Sequence, residues 1–215
     1  MHLTFVPDLH VLAAYTAAAF VLIFTPGADM TFFLGQTLAA GRARGFAAML
    51  GVSAGLVVHS IAAAFGLSAL LAASATAFGA LKIVGVVYLI FLAIQALRHG
   101  SALSLEAAGA GPQPLSRVFL LGFGINLLNP KIILFFLTFL PQFVAASDPH
   151  AGAKLMFLGL YFIALGIPTC AVLILLADRF TAAIRRSPRV MRGIDYLFAG
   201  LMGAFAVRLL SARTE

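Results

Sequence analysis

LHVLAAYTAAAFVLIFTPGADMTFFLGQTLAA, residues 9–40, is an apolar run broken in its middle by Thr25-Pro26-Gly27-Ala28-Asp29. About 20 apolar residues cross a bilayer, so a run of this length predicts membrane depth for the break itself. A second stretch repeats the arrangement: VFLLGFGINLLNPKIILFFLTFLPQFVA, residues 118–145, is interrupted by Asn129-Pro130-Lys131. Pro26 and Pro130 lie 104 residues apart, and a phenylalanine pair follows each break, Phe32-Phe33 and Phe135-Phe136. Thr25 and Asn129 suit the N-cap of a helix, and a following proline suits its first position, where the missing N–H costs nothing. Both steps therefore read as helix starts placed inside spans. Backbone freed in this way is tolerated at membrane depth only against protein or a water-filled cavity. A new half-helix also aims its positive end and free N–H groups into such a cavity, which suits a carboxylate. The plain alternative is a packed proline kink, but two matched breaks favour a site.

The rest of the chain fits this frame. Its 215 residues are 62% hydrophobic and 10% charged, with a mean hydropathy of +1.07. Soluble domains are about 45–50% apolar and about 25% charged, so a soluble enzyme is excluded. Gly45 to Leu81 carries no charge and is too long for one helix, with a turn expected at Ser74-Ala75-Thr76. The third span is expected at about Ala77 to Leu97, the fourth is Val118–Ala145, the fifth is about Leu155 to Ala177 and the sixth about Ile194 to Leu210. The expectation is an all-α membrane protein of about six transmembrane helices, the first and fourth broken. It forms a single transporter domain over residues 1–215, with halves 1–97 and 118–215 joined by a cytoplasmic loop at 98–117. Three spans per half place the second half upside down relative to the first. That is the inverted-repeat plan of secondary transporters, whose paired interrupted segments mark the binding site. A rival reading folds residues 9–40 back as a re-entrant hairpin and leaves five full spans.

Charge sets the orientation. With six spans, one side receives nine basic residues: Arg42, Arg44, Arg98, Arg117, Arg179, Arg185, Arg186, Arg189 and Arg192. The other receives three, Lys154, Arg208 and Arg213, while Lys82 and Lys131 fall within spans. Basic loops stay inside, so the nine-residue side, including the Arg179–Arg192 loop, is expected in the cytoplasm. Basic residues confined to short loops between spans speak for orientation and against nucleic-acid binding. The opening MHLTFVPD lacks Lys and Arg, so the first run is expected to remain as a span rather than leave as a signal peptide. Cys170 is the lone cysteine, which excludes disulfide chemistry and a thiolate cluster.

Asp29 and Lys131 are ionisable groups beside the two breaks. Charges at membrane depth are costly and usually face a pathway. Alternatively, Asp29 caps its own half-helix and Lys131 snorkels to an interface. One anionic and one cationic group at the same cavity would match a zwitterion, the form of an α-amino acid. The substrate-binding set read from this pattern is Thr25, Pro26, Gly27, Asp29, Asn126, Asn129, Pro130 and Lys131. Asp29 and His59 are candidates for a proton relay; a histidine bonded to a backbone carbonyl is the alternative. Lys82 reads as an interfacial anchor, Gln36, Gln95 and Asn126 as interhelix contacts, Tyr88 as packing, and Asp195 as topological. Gly51-Val52-Ser53-Ala54-Gly55 matches a hydrolase pattern, but it lies inside a span, where Gly51 and Gly55 make a GxxxG packing face. His59, about 240° around the helix from Ser53 at 3.6 residues per turn, cannot serve it. No Walker loop, HExxH or GxGxxG is present, and no cofactor is expected.

Thr25-Pro26-Gly27-x-Asp29, Gly41-Arg42-x-x-Gly45, Gly85-x-x-Tyr88-Leu89 and Asn126-x-x-Asn129-Pro130-Lys131, in this order, resemble the lysine-exporter (LysE) superfamily, and within it the RhtB type of homoserine/threonine efflux proteins. The resemblance runs over almost the whole chain. It implies a bacterial inner-membrane permease that exports amino acids or derivatives, driven by the proton gradient, and a homodimer. The chain departs from the family at Ala28, where a second proline is usual. Cation exporters of the same superfamily, and a membrane-embedded enzyme or assembly factor, are the rival classes. A lone Asp29 without a cysteine cluster makes a poor soft-metal site.

Overall fold

In the computed structural model of the chain, residues 6–67, 83–84, 86–87, 90–91, 93–94, 97–98, 113–145, 148–177, 179 and 188–211 are described. Helices account for nearly all of them. Helix α1 spans Leu9–Phe24, α2 Ala28–Ala40 and α3 Arg42–Ala62, the last extended by a π-helical turn at Ala63–Leu67. Helix α4 spans Leu115–Leu127 and α5 Pro130–Leu134, which runs on through a π-helical turn, Phe135–Phe139, and a 3-10 turn, Leu140–Phe143. Helix α6 spans Ala151–Leu175 and α7 Pro188–Ser211. The described positions between 83 and 98 are all helical. The expected turn at 74–76, Lys82, Tyr88, Gln95 and most of the loop at 98–117 lie outside the described residues.

Among the described residues, two helices are long and apolar enough to cross a membrane unbroken, Arg42–Gly66 and Ala151–Leu175. Two helix pairs are long and apolar enough only when each is taken together, and both are bent, α1 and α2 by 52° and Leu115–Leu127 and Pro130–Phe143 by 50°, as a broken span or a re-entrant hairpin is. Both breaks fall where the prolines stand. The chain is an all-α membrane protein, and its exposed leucines, isoleucines and phenylalanines are the surface such a protein offers to lipid.

Two expectations about local structure need correction. Thr25 does not start α2. It ends α1: its N–H and its hydroxyl both donate to the Val21 carbonyl, at 3.0 and 2.6 Å. Back-bonding to the carbonyl four residues earlier occupies the hydroxyl that a cap would use, so Gly27 takes the N-cap place and α2 begins at Ala28. The second break behaves as expected, with Asn129 Oδ1 accepting from the Lys131 N–H at 3.0 Å and Pro130 in the first helical position. The basic loop is also shorter than expected, because α7 begins at Pro188 and takes in Arg189 and Arg192. Arg117 likewise lies in the first turn of α4.

Helix α3 is the central element, packed on α2, α4 and α6. Its approach to α4 depends on Gly51, because a Cβ there would overlap the Phe119 carbonyl oxygen and lie 3.0 Å from the Phe123 nitrogen. A Cβ on Gly55 would likewise run into the Asn126 side chain. The GxxxG face expected from sequence is thus a packing face, as small residues are at membrane helix contacts. A single residue, Gly41, joins α2 to α3; its φ of 90° is the one positive value among the described residues. Arg44 tightens this corner by donating to the Ala40 carbonyl at 3.0 Å and the Gln113 carbonyl at 2.9 Å, and Arg42 donates to the Leu175 carbonyl at 3.0 Å.

Candidate functional site

The break between α1 and α2 leaves the last carbonyls of α1 without helical partners, at the negative end of that helix. Lys131, the second residue of α5 after the other break, fills this place. Its Nζ donates to the Thr25 carbonyl at 2.9 Å and to the Leu22 carbonyl at 3.4 Å. Gly27 permits this approach, since a Cβ there would stand 3.2 Å from Nζ. Lys131 is therefore turned inward and does not snorkel. An ammonium has three donors, so one remains.

Asp29 lies in the first turn of α2, at the positive helix end. Its Oδ2 accepts from Asn126 Nδ2 at 2.9 Å, across the α2–α4 contact. Its Oδ1 is buried without a hydrogen-bond partner among the described residues. Lys131 and Asn129 lie close enough to act on the carboxylate electrostatically. Asn126 is fully buried, and its own carbonyl meets His59 Nε2 at 3.3 Å. His59 also stacks on Phe136, with ring centroids 5.6 Å apart. It is thus a histidine bonded to a backbone carbonyl, linked to Asp29 through Asn126 and close enough to act on the carboxylate electrostatically.

Asp29 and Lys131 face one cavity of about 70 Å³, shared with Thr25 and Gly27. A water needs roughly 10–15 Å³ by this measure, so the space admits several waters or the heavy atoms of a small solute. Asn126 and Asn129 support the cavity from behind without lining it. Pro26 is buried beside it, and Pro130 is exposed. Apolar residues of α1, α2 and α5 complete the wall together with α3, through Met49, Val52 and Ser53, and α6, through Ile163, Gly166 and Cys170. The α6 residues were not foreseen as site residues. An all-apolar helix offers no stripe by which to choose its cavity-facing side.

Chemically, the cavity presents one carboxylate oxygen able to accept and one ammonium N–H able to donate, with apolar side chains around them. Such a set has the chemistry to bind and orient a polar head group.

Comparison with known proteins places the chain in a family. The family model described as LysE type translocator matches residues 20–213. The chain is 30% identical to an uncharacterized membrane protein of Vibrio cholerae, over 96% of this chain and 99% of that protein. It is also 30% identical to the homoserine/homoserine lactone efflux protein of Salmonella typhimurium, covering 93% and 96% of the two chains. A leucine efflux protein from Enterobacter is 26% identical over 92% of this chain and 93% of its own. No solved structure matches. The chain belongs to the LysE type translocator family, whose members are membrane transporters rather than enzymes.

Proposed function

We propose that the protein is a secondary efflux permease for small zwitterionic amino acids or their derivatives, of the homoserine, threonine and neutral aliphatic kind. The observation that carries this reading is the pairing of Asp29 and Lys131 on the wall of one cavity at the meeting of the two breaks. The free Oδ1 of Asp29 receives the substrate ammonium, and the remaining N–H of Lys131 receives its carboxylate. Charge-assisted hydrogen bonds of this type are the stronger ones, and they leave the substrate side chain to the apolar part of the wall. The names of the Salmonella and Enterobacter relatives support an amino acid as cargo.

The finer points follow from the same arrangement. The nearly equal bends at the two breaks support an inverted pair of three-helix halves with the site on their shared axis. Asp29 is the group that takes up a coupling proton, and Asn126 carries its link to His59. The arginine-rich loops face the cytoplasm of a bacterial inner membrane, so export runs from the side they mark. The test uses the purified full chain in liposomes loaded with labelled homoserine, threonine or leucine, with and without an imposed proton gradient. Saturable efflux that quickens with the gradient is expected. Retention of every amino acid under both conditions, or efflux of inorganic cations instead, overturns the reading.

A further inference from the structure

Ile163, Gly166, Ile167 and Cys170 stand at positions i, i+3, i+4 and i+7 of α6, which places them on one helix face, and all four line the cavity. The face is apolar and bulky except at its centre, where Gly166 offers no side chain. A Cβ built on Gly166 meets nothing within 4 Å. Open space at a glycine that lines a cavity is volume available to a ligand. The two polar hydroxyls nearby have spent their protons elsewhere: Thr25 Oγ1 donates to Val21 O, and Ser53 Oγ donates to Met49 O at 2.9 Å. Among the described lining residues no hydroxyl donor is left for a polar substrate side chain, whereas Met49, Val52 and Ile163 offer apolar contact.

We propose that Gly166 is the specificity-determining position of the permease, and that the space it leaves is a subsite for a branched aliphatic side chain. The inference rests on the amino-acid permease reading and assigns the two ends of the substrate to different walls. Asp29 and Lys131 hold the head group, and the α6 face around Gly166 measures the side chain. Each methylene buried in such a subsite is worth about fourfold in affinity, and leucine carries three carbons more than alanine. Selection by size therefore reaches tens of fold, within the range apolar pockets attain.

The test is substrate counterflow with the purified full chain in liposomes, using leucine, homoserine and alanine. The wild-type protein is expected to prefer leucine over both others. Gly166→Ala is expected to lower leucine exchange about threefold to tenfold, and Gly166→Val more than tenfold, while alanine exchange stays within about threefold, since a pocket this shape discriminates mainly by the methylenes it can hold. Gly200→Val, at an exposed α7 glycine with equally open surroundings, controls for the effect of valine in a helix. Parallel loss of leucine and alanine exchange in Gly166→Ala, with Gly200→Val intact, makes Gly166 a structural glycine and overturns the inference. Wild-type preference for homoserine over leucine overturns it too. Failure of the wild-type protein to exchange any amino acid overturns the permease reading itself, and the subsite with it.

Discussion

Adding a methyl group to Gly51 tests the close approach of α3 to α4. The added Cβ would overlap the Phe119 carbonyl oxygen, lie 2.9 Å from the Phe119 carbonyl carbon and 3.0 Å from the Phe123 nitrogen, where ordinary contact is 3.4–4 Å. These are backbone atoms, so no rotamer change relieves the overlap, and α3 and α4 must part. Overpacking costs about 1–3 kcal/mol when side chains can adjust; against rigid backbone the upper figure applies, about 3 kcal/mol. Chains of this size lose about 2–4 °C of melting temperature per kcal/mol, so Gly51→Ala should melt about 6–12 °C below wild type. Gly35, in α2, is the counterpart: a Cβ there meets nothing within 4 Å. Gly35→Ala gains about 0.5–1 kcal/mol of helix stability, or about 1–4 °C by the same conversion. The assay is thermal unfolding of the detergent-solubilised protein, followed by loss of the monodisperse peak. Equal shifts for the two variants, or a Gly51→Ala protein as stable as wild type, would refute the close α3–α4 approach and with it the placing of Asn126 against Asp29.

Asp29→Asn keeps size and one hydrogen bond to Asn126 but removes the charge offered to an ammonium. It should abolish transport while the protein still inserts and melts near wild type; retained uptake of substrate at wild-type rate would refute the role. Lys131→Met should do the same to transport and should also lower stability, because the Thr25 and Leu22 carbonyls lose their donor. At the membrane surface, Lys154 and the His150 N–H hold the Asp148 carboxyl below its usual pKa. Its contribution is therefore present above the unfolded pKa near 4 and lost as pH falls through the depressed folded value. Melting temperature should drop over that acid window in wild type and drop less in Asp148→Asn. A cysteine placed at Ser187 in a Cys170→Ala background should resist a membrane-impermeant thiol reagent in intact cells, and ready labelling would reverse the assigned orientation.

The two breaks were legible because proline and a polar cap interrupt runs that are otherwise apolar, and both helix pairs bend there. The packing role of Gly51 and Gly55 was legible from spacing alone. The exact start of α2 was not: Thr25 had two uses for one hydroxyl, and the Val21 carbonyl prevailed over the cap. Nor was the partner of Asn126, since a polar residue inside a span announces a contact without saying across which helix. Least legible was α6. Its cavity-facing side is Ile, Gly and Cys in a helix apolar all round, and only the fold tells that side from the one facing lipid.

Gly41 leaves α2 and α3 joined by one residue in a left-handed conformation, and Arg44 ties the corner to the end of α2 at Ala40 and to the chain ahead of α4 at Gln113. With one residue between them, α2 and α3 have little chain in which to shift independently. Any swing of α2 against α1 is taken up at Thr25–Gly27, where Lys131 reaches in. Through Gly51, α3 bears directly on the backbone of α4. The cavity that Asp29 and Lys131 share thus lies at the α1–α2 break, at the opposite end of α2 from this corner.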